Sequence, residues 1–338
     1  MKAYRIQSPH TIGLDELAAQ PVGERCVKLK NLMCGIASTD ISVYSGEKQV
    51  AYPIIPGRQC VGFVSEVGPG VSFARGNRVV AHSHASCHTC KPCKDGHYYD
   101  CEKPLLFGVG ENGFLSDFSV VSADDVFAIP DRLKDEEAIF TEHTALAINI
   151  MSRLGVEKGE HLVIVGASIV GIILAQVAMY YQAVPIVVDM HEDLLDIARQ
   201  AGVYYTVDTV QEDAGKKILG LTGGHMADAC AYMATSTVPL TNAFDYCCKR
   251  GRVAIVGRSA NLRDEFKCNI GALIEKNLDL ITVTDCGKNY PSAINMLANR
   301  TVSVEMLPKH IVPFAEAPAA IENIASGDAA IEKLLIKI

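Results

Sequence analysis

The run Leu162 to Tyr181, LVIVGASIVGIILAQVAMYY, constrains what this chain can fold into more than any other segment. It is almost wholly apolar, and its first four residues are mostly β-prone, so it opens as a strand. Gly166, Ser168 and Gly171 interrupt it, and a helix follows. A membrane span is the competing reading of so apolar a stretch. The glycines, Ser168 and Gln176 favour a buried strand turning into a buried helix, because a parallel sheet covered on both faces reads as continuous apolar sequence. Downstream, strands at Val184 to Asp189, Tyr204 to Asp208, Ala227 to Tyr232 and Arg252 to Gly257 alternate with helices at Glu192 to Ala201, Lys216 to Leu221 and Pro239 to Cys248. This alternation predicts a doubly wound parallel sheet of the α/β class.

Gly166-x-Ser168-x-x-Gly171 falls between the predicted strand and helix, where backbone amides at a helix N-terminus meet a pyrophosphate. Gly166, Ser168, Ile169, Val170 and Gly171 are therefore the expected phosphate cradle. Serine at the middle position adds a Cβ where the backbone would approach the phosphate, so some loss of fit is expected. Asp189 ends the next strand and is placed to accept the ribose hydroxyls; its charge would repel a 2′-phosphate, which favours NAD(H) over NADP(H). Val256 and Gly257, at the end of a later strand, complete the expected cofactor contacts.

Residues 1 to about 130 read differently. Cys26 to Met33, Cys60 to Val67 before the turn Gly68-Pro69-Gly70, Gly76 to Ala81, Phe118 to Val121 and Val126 to Ile129 are strand-like. A first body built of strands and turns is expected. Glu136 to Leu154 has helical periodicity, and from about Asn289 the chain gives two more helices, a strand at His310 to Val312 and a last strand, Lys333 to Ile338.

Twelve cysteines are many for a chain of 338 residues, and four of them, Cys87, Cys90, Cys93 and Cys101, share one short loop. The spacing lets neighbouring thiolates turn onto one ion, and the longer last interval gives the fourth slack to return, enough to close a tetrahedral Zn²⁺ shell. An iron–sulfur cluster is the alternative, which the distant fourth cysteine suits less well. A shell of four thiolates has no open position, so one zinc per chain held here would be structural. Lys91, Lys94 and Lys103 would offset its negative charge. The other eight cysteines read as small buried hydrophobes.

The net charge of −8 and the lack of any basic stretch exclude a nucleic-acid surface. Met1 to His10 has no apolar core of a secretory signal, and a cytoplasmic protein outside the membrane is expected.

Cys34-Gly35-Ile36-Ala37-Ser38-Thr39-Asp40, Pro56-Gly57-Arg58-Gln59, Gly62, Gly76-Asn77-Arg78-Val79, the four-cysteine lobe, Gly113-Phe114, Glu142, Gly166 to Gly171 and Gly251-Arg252-Val253 together resemble the medium-chain dehydrogenase/reductase superfamily, the zinc-containing alcohol and polyol dehydrogenases. The resemblance runs over essentially the whole chain. It implies a GroES-like β-rich catalytic domain, residues 1–145 and 290–338 with the zinc lobe at about 87–101, and a Rossmann domain, residues 146–289. It also implies a small-molecule substrate and a homo-oligomer, dimer or tetramer. In that family a catalytic zinc is held at places that here are Ala37, Arg58, Gln59 and Glu142; only Glu142 keeps a ligand type. The expectation is an NAD(H)-dependent oxidoreductase without a catalytic zinc. Thr39 matches the hydroxyl that relays the alcohol proton in the family. For Arg58 two roles stay open: orienting a substrate carboxylate or carbonyl oxygen, or a structural ion pair with Glu142. Three activities stay open too: alcohol/carbonyl chemistry on a sugar-like or carboxylated substrate, reduction of an activated C=C bond, and binding of a dinucleotide without catalysis.

Overall fold

The computed structural model describes residues 1–95, 98–103, 105–233, 238–257, 270–327 and 333–338. The chain divides into two compact units, Met1–Glu142 with Pro308–Ile338, and His143–Leu307. The helix Tyr290–Ala298, given to the first body on sequence, falls within the second.

The first unit is built on a mostly antiparallel sheet of seven strands among the described residues. The long strand Cys26–Ile36 is its spine. Gln59–Val67 and Phe118–Ser122 pair with it, as does the C-terminal strand Leu334–Lys337, in antiparallel register. Val27 and Leu29 alternate with less buried Lys28 and Lys30, the period of a strand with one face on the core. Register matters at one end. Leu334 pairs with Ile36 and Gly35 with Gln59, so the residue before the last strand, Lys333, lands beside the start of Gln59–Val67.

Two sequence expectations need correction here. The segment read as strands and turns carries a helix, Ser38–Tyr44. Asp40 in its first turn explains it: one carboxylate oxygen accepts the Ala37 amide and the other the Gly57 amide, both at 2.8 Å, which caps the helix and ties it to the next loop. The helix read over Glu136 to Leu154 is two, Asp135–Ala138 and Thr141–Leu154. Thr141 Oγ1 donates to the Ala138 carbonyl at 2.7 Å, and fully buried Phe140 sits in the break. The new helix thereby starts just ahead of Glu142.

Among the described residues of the second unit, six strands form an all-parallel sheet. His161–Val165 lies inside it; the chain steps to one side through Val184–Asp189 and Tyr205–Asp208, then returns to the other through Ala227–Met233, Cys247–Val256 and Asp279–Val283. Leu162 to Val165 are fully buried, as the apolar run predicted. The reversal of strand order beside His161–Val165 opens a crevice at the carboxyl ends of the strands. No helix among the described residues is long and apolar enough to cross a membrane. The α/β class, with a GroES-like body and a Rossmann sheet, is the one expected from sequence.

Candidate functional site

The loop after His161–Val165 leads straight into the helix Ile169–Tyr180. Ser168 is its N-cap: its backbone is extended and its Oγ accepts the Gly171 amide at 3.3 Å. The position has negative φ, so serine sits there without backbone strain, and its hydroxyl turns back onto the helix. Gly171 cannot be replaced so easily, because a Cβ there would fall 2.1 Å from the Gly166 carbonyl oxygen. The amides of Ile169 and Val170, in the first turn, have no intrahelical partner and point out of the helix end. Asp189 reaches this loop. Its Oδ2 accepts the Ala167 amide at 2.6 Å, and its Oδ1 accepts the Met190 and His191 amides and contacts His191 Nδ1 at 2.9 Å. Beyond the ends of Val184–Asp189 and Tyr205–Asp208 lies a cavity of about 550 Å³ lined by Met190, Thr209, Val210, Asn242 and Tyr246. Val256 ends the strand Cys247–Val256 at the same end of the sheet, and Gly257 follows it, its amide donating to the Val283 carbonyl. The six expected cradle and ribose residues are thus brought together at one strand end; the segment 258–269 lies outside the described residues.

Cys87, Cys90, Cys93 and Cys101 converge as the spacing required. Their sulfurs all lie within 4.8 Å of one another, and among the described residues this is the group of His, Cys, Asp or Glu able to hold a metal ion. A tetrahedral Zn–thiolate shell has sulfur–sulfur edges of about 3.8 Å, so closing it needs only small movements. Amides already point at the sulfurs, Cys90 onto Cys87 at 3.3 Å and Cys87 onto Cys101 at 3.3 Å, as thiolate ligands require. The strands His84–Ala85 and Leu105–Leu106 close the base of the lobe.

Thr39, Arg58 and Glu142 also meet, in a cluster larger than sequence reading anticipated. Arg58 Nη1 lies 3.4 Å from Thr39 Oγ1, its Nη2 3.4 Å from Ser83 Oγ and 3.8 Å from Glu142 Oε1. Ser83 donates to Glu142 Oε1 and Gln59 Nε2 to Glu142 Oε2. Gln59 Oε1 in turn accepts from Lys333 Nζ at 2.6 Å, and the Ile36 carbonyl lies 3.5 Å from the same nitrogen. Gly35 makes room for this pair, since a Cβ there would fall 2.6 Å from Gln59 Oε1 and 3.3 Å from Lys333 Nζ. Burial lowers the Lys333 ammonium to about 8, against the pull of Glu142, Asp40 and Cys34, while Arg58 pushes it down further. Burial also pushes Asp40 up, opposed by the Ala37 and Gly57 amides. Cys34 and Cys60 are buried thiols outside the metal-capable group found among the described residues; burial pushes both up, and Cys60 Sγ donates to Asn31 Oδ1 at 3.3 Å. Ser83 and Lys333 were missed on sequence, where nothing in HSH or EKLLIKI marks them.

Two units of this kind, one holding a dinucleotide-type cradle and the other a polar cluster beside a four-cysteine lobe, define a two-domain dehydrogenase. The alcohol dehydrogenase GroES-like domain family matches residues 23–131, and the zinc-binding dehydrogenase family matches residues 170–299. A zinc-type alcohol dehydrogenase-like protein of Haemophilus influenzae is 27% identical over 328 residues, 96% of this chain and 95% of that one. Sorbitol dehydrogenase of Halalkalibacterium halodurans is 26% identical over 337 residues, 97% of each chain. A short chain alcohol dehydrogenase from Escherichia coli, solved in complex with NADH, superposes with a TM-score of 0.89 at 23% identity, over 100% of this chain and 99% of that one. The chain belongs to the medium-chain dehydrogenase/reductase superfamily, as an oxidoreductase of the alcohol and polyol dehydrogenase type.

Proposed function

We propose that this chain is an NAD(H)-dependent dehydrogenase that moves hydride to or from a small polar alcohol or carbonyl compound, sugar-like or carboxylated, without a catalytic metal. The observation carrying this reading is the hydrogen-bonded cluster of Thr39, Arg58, Ser83, Glu142, Gln59 and Lys333, built where zinc enzymes of the family keep their ligands. A catalytic zinc needs three protein ligands. Ala37 offers no donor atom, and Arg58 and Lys333 are cations. Gln59 turns its oxygen to Lys333 and its amide nitrogen to Glu142. Glu142 alone remains, so these residues do not fit a metal.

The N-terminus of Ile169–Tyr180 would hold the pyrophosphate of NAD(H), which would supply the hydride acceptor or donor. Thr39 acts on the reacting oxygen. Its Oγ1 accepts from Arg58, which leaves the hydroxyl proton to donate outward, and the fixed guanidinium behind it stabilises negative charge as that develops. The four-cysteine lobe holds one structural zinc, for which its converging sulfurs and amide donors are suited.

Metal analysis and calorimetry with NADH test the reading together. The expected result is one zinc per chain and saturable NADH binding. Two zincs per chain would end the metal-free account, and no NADH binding would end the dehydrogenase account. Asp189 gives a further check. Asp189→Ala removes the carboxylate that meets the ribose and also frees the Ala167 amide, so NADH affinity should fall roughly 10–100-fold. NADPH, excluded by charge in the parent, should then bind about as well as NADH. Unchanged NADH titrations in the variant would remove Asp189 from the cofactor site.

A further inference from the structure

Arg58 is a guanidinium that the protein buries and does not fully engage. The residue is 6% exposed. Its Nε has no hydrogen-bond partner among the described residues, and its terminal nitrogens reach only long contacts, 3.4 Å to Thr39 Oγ1 and 3.4 Å to Ser83 Oγ. Glu142 stands opposite but stays 3.8 Å away, because its two oxygens already accept from Ser83 and Gln59. Lys333 adds a second buried cation whose acceptors, Gln59 Oε1 and the Ile36 carbonyl, are both neutral. The other carboxylate of the cluster, Asp40, is met by the amides of Ala37 and Gly57. Two cations therefore share a place where the carboxylates are occupied by other donors. A buried donor left unmet is costly, and such groups ordinarily have partners.

We propose that Arg58 determines substrate specificity and that its missing partner is a carboxylate of the substrate, so that the compound this chain converts is a small hydroxy or oxo acid rather than a neutral polyol. The planar fork of a guanidinium matches two carboxylate oxygens. Thr39 lies on the same guanidinium, so an acid held there presents the oxygen on its adjacent carbon to the Thr39 hydroxyl. Glu142 keeps Arg58 aligned without saturating it, which separates this role from a closed structural ion pair. The inference rests on the metal-free reading above.

Glycolate and ethylene glycol are a matched pair, alike in size and differing by a carboxylate in place of a hydroxymethyl group. Their binding is measured by ligand-observed NMR at constant ionic strength, on zinc-loaded protein with and without saturating NADH, so the comparison stands whatever the cofactor result. Glycolate is expected to bind at least about ten-fold more tightly. Arg58→Met should abolish the preference. Arg58→Lys, which keeps the charge and guards against loss of fold, should retain only part of it. Equal binding of the two probes by the parent, or a preference that survives in Arg58→Met, overturns the proposal. A second zinc in the same preparations defeats the metal-free reading instead, and absent NADH binding defeats the dehydrogenase reading, so the failures are told apart.

Discussion

Cys101→Ser is expected to release the zinc and unfold the lobe around it, the largest single loss anticipated in this chain. Cys101 and Cys93 are each 4% exposed, so two of the four ligands sit inside the lobe rather than on its rim. The segment has little regular structure of its own: its base is a two-stranded ladder of four residues, and its helix, Lys91–Lys94, is a single turn. Its other ties are side-chain contacts such as Ser86 Oγ to the Tyr98 carbonyl and His88 to Asp125. A hairpin that short is marginal by itself. Structural zinc contributes roughly 10–16 kcal/mol of apparent binding free energy in small domains that fold around it, so breaking the shell should cost this lobe several kcal/mol. The parallel sheet of the other unit has its own core around Val163, Val165, Ile186 and Val253 and should keep its cooperative unfolding. Zinc content by mass spectrometry and hydrogen exchange across residues 84–106 check both halves. Retention of the metal with unchanged exchange would show that the four sulfurs are not a shell.

What could be read from the sequence divides by how local the physics is. Cys87 to Cys101 and Gly166 to Gly171 are short loops in which spacing alone sets geometry, and both converge as expected. The apolar run at Leu162 announced the central strand because a doubly covered strand has no polar face to confuse the pattern. Ser168 has a local role that the motif pattern does not show: as an N-cap, serine suits the start of the helix. The helix Ser38–Tyr44 was missed because its start depends on Asp40 reaching both Ala37 and Gly57, a tertiary tie that propensity does not encode. Gln59 and Glu142 are 83 positions apart, and only the family resemblance brought them together on paper. Lys333 was out of reach: it stands 274 positions from Gln59, and its place follows from the pairing of Leu334–Lys337 with Cys26–Ile36. A slip of one residue in that register would turn the strand's side chains to the opposite face.

Lys333 gives the second large effect, and its sign follows from its surroundings. Burial lowers its ammonium from 10.5 to about 8 in the folded chain. Below about pH 8 both folded and unfolded chains hold the proton, so the strain of burying the charge is fully present and does not vary with pH. Between about 8 and 10.5 the unfolded chain binds more protons than the folded one, so stability rises with pH across that window. A shift of this size corresponds to about 3 kcal/mol over the whole window. Lys333→Met lacks the titration. The unfolding free energy of the parent minus that of Lys333→Met, from urea midpoints at several pH values, should therefore climb by about 3 kcal/mol from pH 8 to 10.5 and stay flat below 8. The thiols of Cys34 and Cys60, which burial holds up in both proteins, pull stability the other way as pH rises and largely cancel in the difference. A difference flat across the whole range would mean that Lys333 titrates alike in the folded and unfolded chains, with Glu142, Asp40 and Cys34 offsetting burial and Arg58.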